Sequence, residues 1–189
     1  MEEKLLELKA EAEKCKECEL WKNRKKSVFG EGPSDAKVML IGLGPGYWEN
    51  EKGKPFVGAA GKLLDKLLSL AGLKREEVYI TNVVKCYLPE NKVTREQVRI
   101  CTSLYLDKQI ELIKPKTILT LGNVATQYIF NKFNLALAPM SQIHGRIFFV
   151  SSLFTRIKII PMYHPAAALR NPGLKDIVEK DWKNLKGRL

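Results

Sequence analysis

The sequence predicts an α/β domain built on a parallel sheet, and three observations carry that expectation. Short apolar runs alternate with stretches of helical periodicity along most of the chain. The run Lys37 to Leu43 breaks into Gly42-Leu43-Gly44-Pro45-Gly46, and a leucine-rich helical stretch, Gly61 to Ala71, follows it. The same strand, turn and helix order returns at Thr117 to Leu121, Gly122-Asn123 and Val124 to Phe130. With 189 residues, 45% of them apolar, the chain can bury one ordinary core, so a single domain spanning 1–189 is expected.

Residues 2 to 14 read as an amphipathic helix, with Leu5, Leu6, Leu8 and Ala12 near one stripe. It runs into Cys15-Lys16-Glu17-Cys18, a C-x2-C turn that lets two thiolates converge on one metal centre. The basic run 22–27 and the turn-rich 30–35 connect to the first strand. The stretch Val38 to Gly61 is the centre of the reading: a buried strand, a glycine loop, a polar and aromatic segment, then Pro55-Phe56-Val57-Gly58 entering a helix. Open α/β sheets bind ligands beyond the carboxyl ends of their strands, and glycine permits close backbone approach there.

The next strand, Val78 to Val84, brings Asn82, Lys85 and Cys86 to its end. A carboxamide offers both a donor and an acceptor, which suits the edge of a nucleobase, although a turn or capping role is the more ordinary one. Thr94-Arg95-Glu96-Gln97 has the form of a capping box and starts a helix to about Ile113 that carries Cys101. Cys15, Cys18, Cys86 and Cys101 form an all-sulfur set that fits zinc or a [4Fe–4S] cluster equally well by ligand count. His144-Gly145-Arg146 reads as a surface turn before the β-rich run Ile147 to Val150. The last apolar strand, Ile157 to Pro161, delivers His164, followed by Pro165 at a helix start. A histidine fixed there can stabilise an anion forming on a leaving group. Lys175 to Leu189 reads as a basic helix anchored by Trp182.

Lys and Arg exceed Asp and Glu by 32 to 21, a formal net charge of +11, which favours a polyanionic partner. No apolar run approaches the roughly 20 residues that span a bilayer, and the start has no signal-peptide pattern, so a cytoplasmic protein is expected.

Four pieces in this order match one family: G-x-G-P-G with K-P-F-V-G-x-A-G at 42–61, T-N-V-V-K-C at 81–86, the four cysteines, and H-P-A-A-A-L-R at 164–170. The chain resembles the family 4 uracil-DNA glycosylases, the iron–sulfur type found mainly in thermophiles, over nearly its whole length. The resemblance implies a three-layer α/β/α sandwich with a mainly parallel four-stranded sheet, and excision of uracil from DNA. It implies a [4Fe–4S] cluster on Cys15, Cys18, Cys86 and Cys101, with zinc as the fallback. Phe56 is expected to stack on the base, beside the Gly42, Leu43 and Gly44 loop. Asn82 is expected to read the uracil edge, and Tyr47 to lie against C5 or to make a contact at the rim. His164 is expected to stabilise the departing anion, and Glu49 the sugar or a water. Lys85, Arg146, Pro165, Ala166 and Arg170 are the expected DNA contacts.

One position departs from the family pattern: Leu43 stands where a G-E-x-P-G motif has Glu. Activity is still expected. The rival readings are a glycosylase of broader deaminated-base scope and a non-catalytic binder of uracil-containing or single-stranded DNA. The expected partner is uracil-containing DNA, single- or double-stranded, bound by a monomer, with a sliding clamp as a candidate protein partner and no membrane association.

Overall fold

The computed structural model describes residues 2–151 and 156–189. Five strands form one sheet in the order β2-β1-β3-β5-β4. They are β1 (Val38–Gly42), β2 (Tyr79–Asn82), β3 (Thr117–Leu121), β4 (Phe148–Ser151) and β5 (Arg156–Met162). β1 pairs in parallel with β2 and β3, and β3 with β5, as expected; β4 adds a fifth strand, antiparallel to β5, beyond the four anticipated. The run Ile147 to Val150 supplied it, too short and too half-exposed to announce a sheet edge.

Alternation along β1 divides the core. Met39 and Ile41 face one layer and Val38 and Leu40 the other, as the two-residue strand period requires. The first layer holds α1 (Glu2–Lys14) and a long helical segment from Arg95 to Ile113, together with Phe130 of a later helix. The second holds the leucine helix and the C-terminal helix, whose Trp182 is fully buried as the anchor expected of it. Of the stripe read on α1, Leu5, Leu8 and Ala12 are buried, whereas Leu6 is exposed, because it sits one residue off the inward phase. Among the described residues no helix is long and apolar enough to cross a membrane.

The segments between strands complete the order: α2 (Tyr47–Lys52) and α3 (Ala59–Leu70) between β1 and β2, then α4 (Arg95–Cys101) and α5 (Asp107–Ile113) before β3. α6 (Asn123–Lys132) and α7 (Met140–Ile143) precede β4, and α8 (Pro165–Arg170) and α9 (Lys175–Asn184) end the chain. The helix read as continuous from Thr94 to Ile113 is interrupted by a π turn, Thr102–Leu106, directly after Cys101. Its N-terminus has the expected capping box, Thr94 and Gln97 exchanging side-chain and backbone bonds at 3.1 and 2.9 Å. The free edge of β2 is covered by Glu31, whose backbone exchanges bonds of 2.9 and 2.8 Å with Ile80.

Candidate active site

A cleft of about 280 Å³ opens where β1, β2, β3 and β5 end, the place a parallel sheet reserves for ligands. Each strand sends one piece of chain to it. β1 gives Leu43 and Gly44, β2 gives Asn82, the turn after β3 gives Gly122 and Asn123, and β5 gives His164. Phe56 and Glu49 come from the excursion between β1 and α3.

Asn82 is almost fully buried, yet among the described residues its carboxamide has no hydrogen-bond partner, so both functions of the amide are available to whatever fills the cleft. Its position depends on Gly42. A Cβ there would lie 2.4 Å from Asn82 Oδ1 and 2.9 Å from Phe56 Cζ, so the glycine sits behind the base site rather than in contact with it. Phe56 is buried, adopts a left-handed φ of 50°, and stacks on His164 with ring centroids 5.5 Å apart at 26°. The helix-entry Gly61 makes that conformation possible, since a Cβ at 61 would fall 1.9 Å from the Phe56 carbonyl oxygen.

His164 caps α8: the backbone N–H of Ala166 donates to its Nδ1 at 3.1 Å. A backbone N–H can only donate, so Nδ1 accepts, and a neutral ring carries its proton on Nε2. Burial holds the imidazole neutral, pushing its pKa down to about 4, with the Arg170 charge adding to the effect and Glu49 opposing it. His164 is therefore a neutral N–H donor at the cleft.

Glu49 is committed to the backbone. Oε2 accepts from Gly46 N at 3.1 Å, and Oε1 accepts from Val57 N at 2.9 Å and Gly58 N at 3.0 Å. The carboxylate thus clamps the glycine loop after β1 to the turn before α3, while still lining the cleft. The sequence signal for this was a capping pattern, Gly46 followed three residues later by a glutamate.

Three expected contacts are placed differently by the structure. Lys85 is 1% exposed, and its ammonium donates to Thr81 Oγ1, Asn82 O and Gln109 Oε1, each at 2.7 Å, so it cannot reach a phosphate. Burial lowers its pKa to about 7. Pro165 is buried as the first residue of α8 and offers DNA no surface. Tyr47 is not among the residues lining the cleft: as the first residue of α2 it is 57% exposed, which leaves it at the rim beside Gly46 and Glu49 rather than against C5 of a bound base. Of the others, Ala166 and Arg170 line the cleft, and Arg146 is exposed outside it.

The cleft also has walls the sequence did not announce. Gly122, with φ of 89°, leaves room beside His164, whose Cβ would lie 3.2 Å from a Cβ placed there. Asn91 also lines the cleft, from a loop in which it and Glu90 both take left-handed φ, of 55° and 60°. The turn at 122–123 carried no group that suggested a role, and nothing local distinguished Asn91.

The four cysteines are free thiols around one small apolar void, closed by Leu20, Tyr105 and Arg24. Arg24 Nη1 lies 3.3 Å from Cys86 Sγ and also donates to Ala12 O, while Nη2 donates to Glu13 O, joining the C-terminal end of α1 to the loop after β2. Burial pushes the Cys101 thiol up to about 12 and raises that of Cys86, so unliganded they keep their protons, which metal binding must displace. Among the described residues no three His, Cys, Asp or Glu side chains are gathered so as to hold a metal ion as they stand.

His144 lies outside the cleft, where its Nδ1 meets Asp181 Oδ2 at 2.7 Å and its ring packs on Tyr163, tying α9 to the end of β5.

Known proteins share this sequence over most of its length. The sequence profile of the uracil DNA glycosylase superfamily matches residues 29–186. A type-4 uracil-DNA glycosylase of Saccharolobus solfataricus is 44% identical over 95% of this chain and 83% of its own length. One from Archaeoglobus fulgidus is 42% identical over 97% and 92%. A type-5 uracil-DNA glycosylase of Pyrobaculum aerophilum is more distant, 29% identical over 75% of this chain and 66% of its own.

Proposed function

The chain belongs to the uracil-DNA glycosylase superfamily, and on that premise we propose how its cleft residues divide the work of excising uracil from DNA. The enzyme hydrolyses the N-glycosidic bond of deoxyuridine and leaves an abasic site. The target base must first leave the stack, which costs a few kcal/mol and least in single strands or mismatches. Asn82 then reads the uracil edge, accepting from N3–H and donating to O4; cytosine presents the reverse pattern at those atoms and leaves the buried amide mismatched. Phe56 covers one face of the base.

Bond cleavage places negative charge on the departing uracil and positive charge on the sugar. His164 donates through Nε2–H to O2 of that anion, and the Gly44 backbone flanks the same edge. A neutral donor is sufficient here, because it stabilises charge that develops only as the bond breaks. Leu43 leaves Glu49 as the one carboxylate among the described cleft-lining residues, so Glu49 supplies the negative field on the sugar side while it holds the loop. Arg170, exposed at the rim, contacts the DNA backbone.

The observation that carries this reading is the pairing of an Nε2–H tautomer, fixed by Ala166 N, with an unpartnered Asn82 amide in one cleft. The test is uracil release from single-stranded and duplex oligonucleotides with thymine as control. His164→Ala and Asn82→Ala should each slow release by about 10²-fold or more while DNA affinity changes little. Unchanged release in either variant refutes the role assigned to that residue, and binding without base release by the parent protein refutes the enzymatic reading.

We further propose that Cys15, Cys18, Cys86 and Cys101 hold a [4Fe–4S] cluster. An all-sulfur donor set around one apolar void, with no histidine lining it, supports that assignment. The cluster would supply a covalent tie between α1 and the segments after β2. Purified protein should be brown and contain about four irons per chain. A colourless protein with one bound zinc overturns the assignment.

A further inference from the structure

We propose that Tyr47 and Trp48 form a stacking subsite for the nucleobase adjacent to the extruded uracil on the same strand. The inference rests on the reading above that the cleft receives a flipped base.

Both side chains are 57% exposed, side by side, with ring centroids 5.2 Å apart and planes at 81°. Other large aromatics of the chain, such as Phe29, Phe130 and Trp182, are buried, so exposure here is not the rule for this protein. Two adjacent exposed aromatic faces offer a surface on which a flat partner can stack.

Location selects the partner. In sequence the pair is bracketed by Gly46 and Glu49, both of which line the cleft, so the aromatic faces stand at its rim. They are also held rigidly. Glu49 clamps the start of α2 to Val57 and Gly58, and the Trp48 indole lies against Gly58, where a Cβ would be 3.5 Å from its Cδ1. A platform fixed against the base pocket loses little conformational freedom when a second base lands on it.

The surrounding charge completes the match. Lys52 is exposed on the same short helix and Arg170 stands at the cleft, on a protein with a net charge of +11. Aromatic faces interleaved with cations are what single-stranded nucleic acid uses: every base has a π face, and each phosphate meets a positive group. An apolar protein partner has no use for those cations.

The test is a binding cycle between the aromatic and the base. Oligonucleotides carry a release-resistant 2′-fluorinated deoxyuridine, with the neighbouring base on the 5′ or the 3′ side either present or replaced by an abasic spacer. Removing the base on one side should weaken binding by the parent protein roughly 5- to 150-fold. Trp48→Ala should show the same loss with intact DNA and no further loss with the spacer, while Trp48→Phe keeps most of the affinity. Tyr47→Ala should give a smaller loss in the same direction. Equal sensitivity of the parent and Trp48→Ala to both spacers overturns the proposal. Uracil release from an ordinary deoxyuridine oligonucleotide is followed separately: its absence overturns the enzymatic reading, while the binding cycle still decides the subsite.

Discussion

Gly42→Ala isolates the geometry of base reading from the stability of the fold. The glycine ends β1, an interior strand of the sheet, and its φ is not left-handed, so alanine meets no backbone strain. What it meets is Asn82 Oδ1 at 2.4 Å, about 1.0 Å inside the 3.4 Å at which ordinary contact begins, and Phe56 Cζ at 2.9 Å. Neither obstacle is backbone. The carboxamide must swing by roughly an ångström, and the ring must tilt away with it. A misplacement of that size at a reacting group costs on the order of 10²-fold in rate, or about 2.7 kcal/mol of transition-state stabilisation. Single-turnover uracil release should therefore fall about 100-fold while the melting temperature moves by only a few degrees. DNA affinity, carried mainly by phosphate contacts, should change much less. A release rate within threefold of the parent would mean that Asn82 is not positioned by this contact, or does not read the base.

Three other outcomes follow from individual side chains. His164 has a folded pKa near 4 against an ordinary 6.5; between those values the unfolded chain binds a proton that the folded one does not, so its contribution to stability is present above pH 6.5 and is lost as pH falls towards 4. Uracil release should accordingly stay flat from pH 8 to pH 5, and an acid limb near pH 6.5 that disappears in His164→Gln would contradict the neutral-donor assignment. Glu49→Gln turns an acceptor into an amide that opposes one of its three N–H partners, so it should destabilise the fold by about 1–2 kcal/mol as well as slow release; an unshifted melting curve would show that the clamp carries no weight. Lys85→Met leaves Thr81, Asn82 and Gln109 acceptors without their buried donor, which should cost about 2 kcal/mol of stability and leave the salt dependence of DNA binding unchanged. A salt slope reduced by about one would return Lys85 to the phosphate contacts.

Local pattern was enough for what is local. β3 matches its apolar run residue for residue, and the leucine spacing of α3, the capping box at Thr94 and the buried Trp182 were all legible. Asn82 and His164 were legible as a pair because parallel strands deliver their last residues to one side of a sheet. What escaped depends on distant partners. A lysine after a strand reads alike whether it turns out to solvent or in; Lys85 turns in because Gln109, 24 residues on, waits behind the sheet with an acceptor. Tyr47 stays at the rim, outside the lining of the cleft, because α2 begins at that residue, and the phase of so short a helix is set by the Glu49 clamp rather than by periodicity. The π turn after Cys101 inserts into a pattern that fits an unbroken helix equally well.

Phe56 holds a left-handed backbone that a bulky residue adopts only where its surroundings enforce it. Gly61 leaves room for its carbonyl, Glu49 anchors the residue that follows it, and Gly42 makes space for its ring. These four positions are consequently a single unit of inheritance: a change at 42 or 61 is harmful while Phe56 stays, and a change at 56 wastes the restrictions on the other three. The floor of the cleft can thus be revised only by several substitutions arriving together, so lineages of this enzyme should keep or change these four positions as a set.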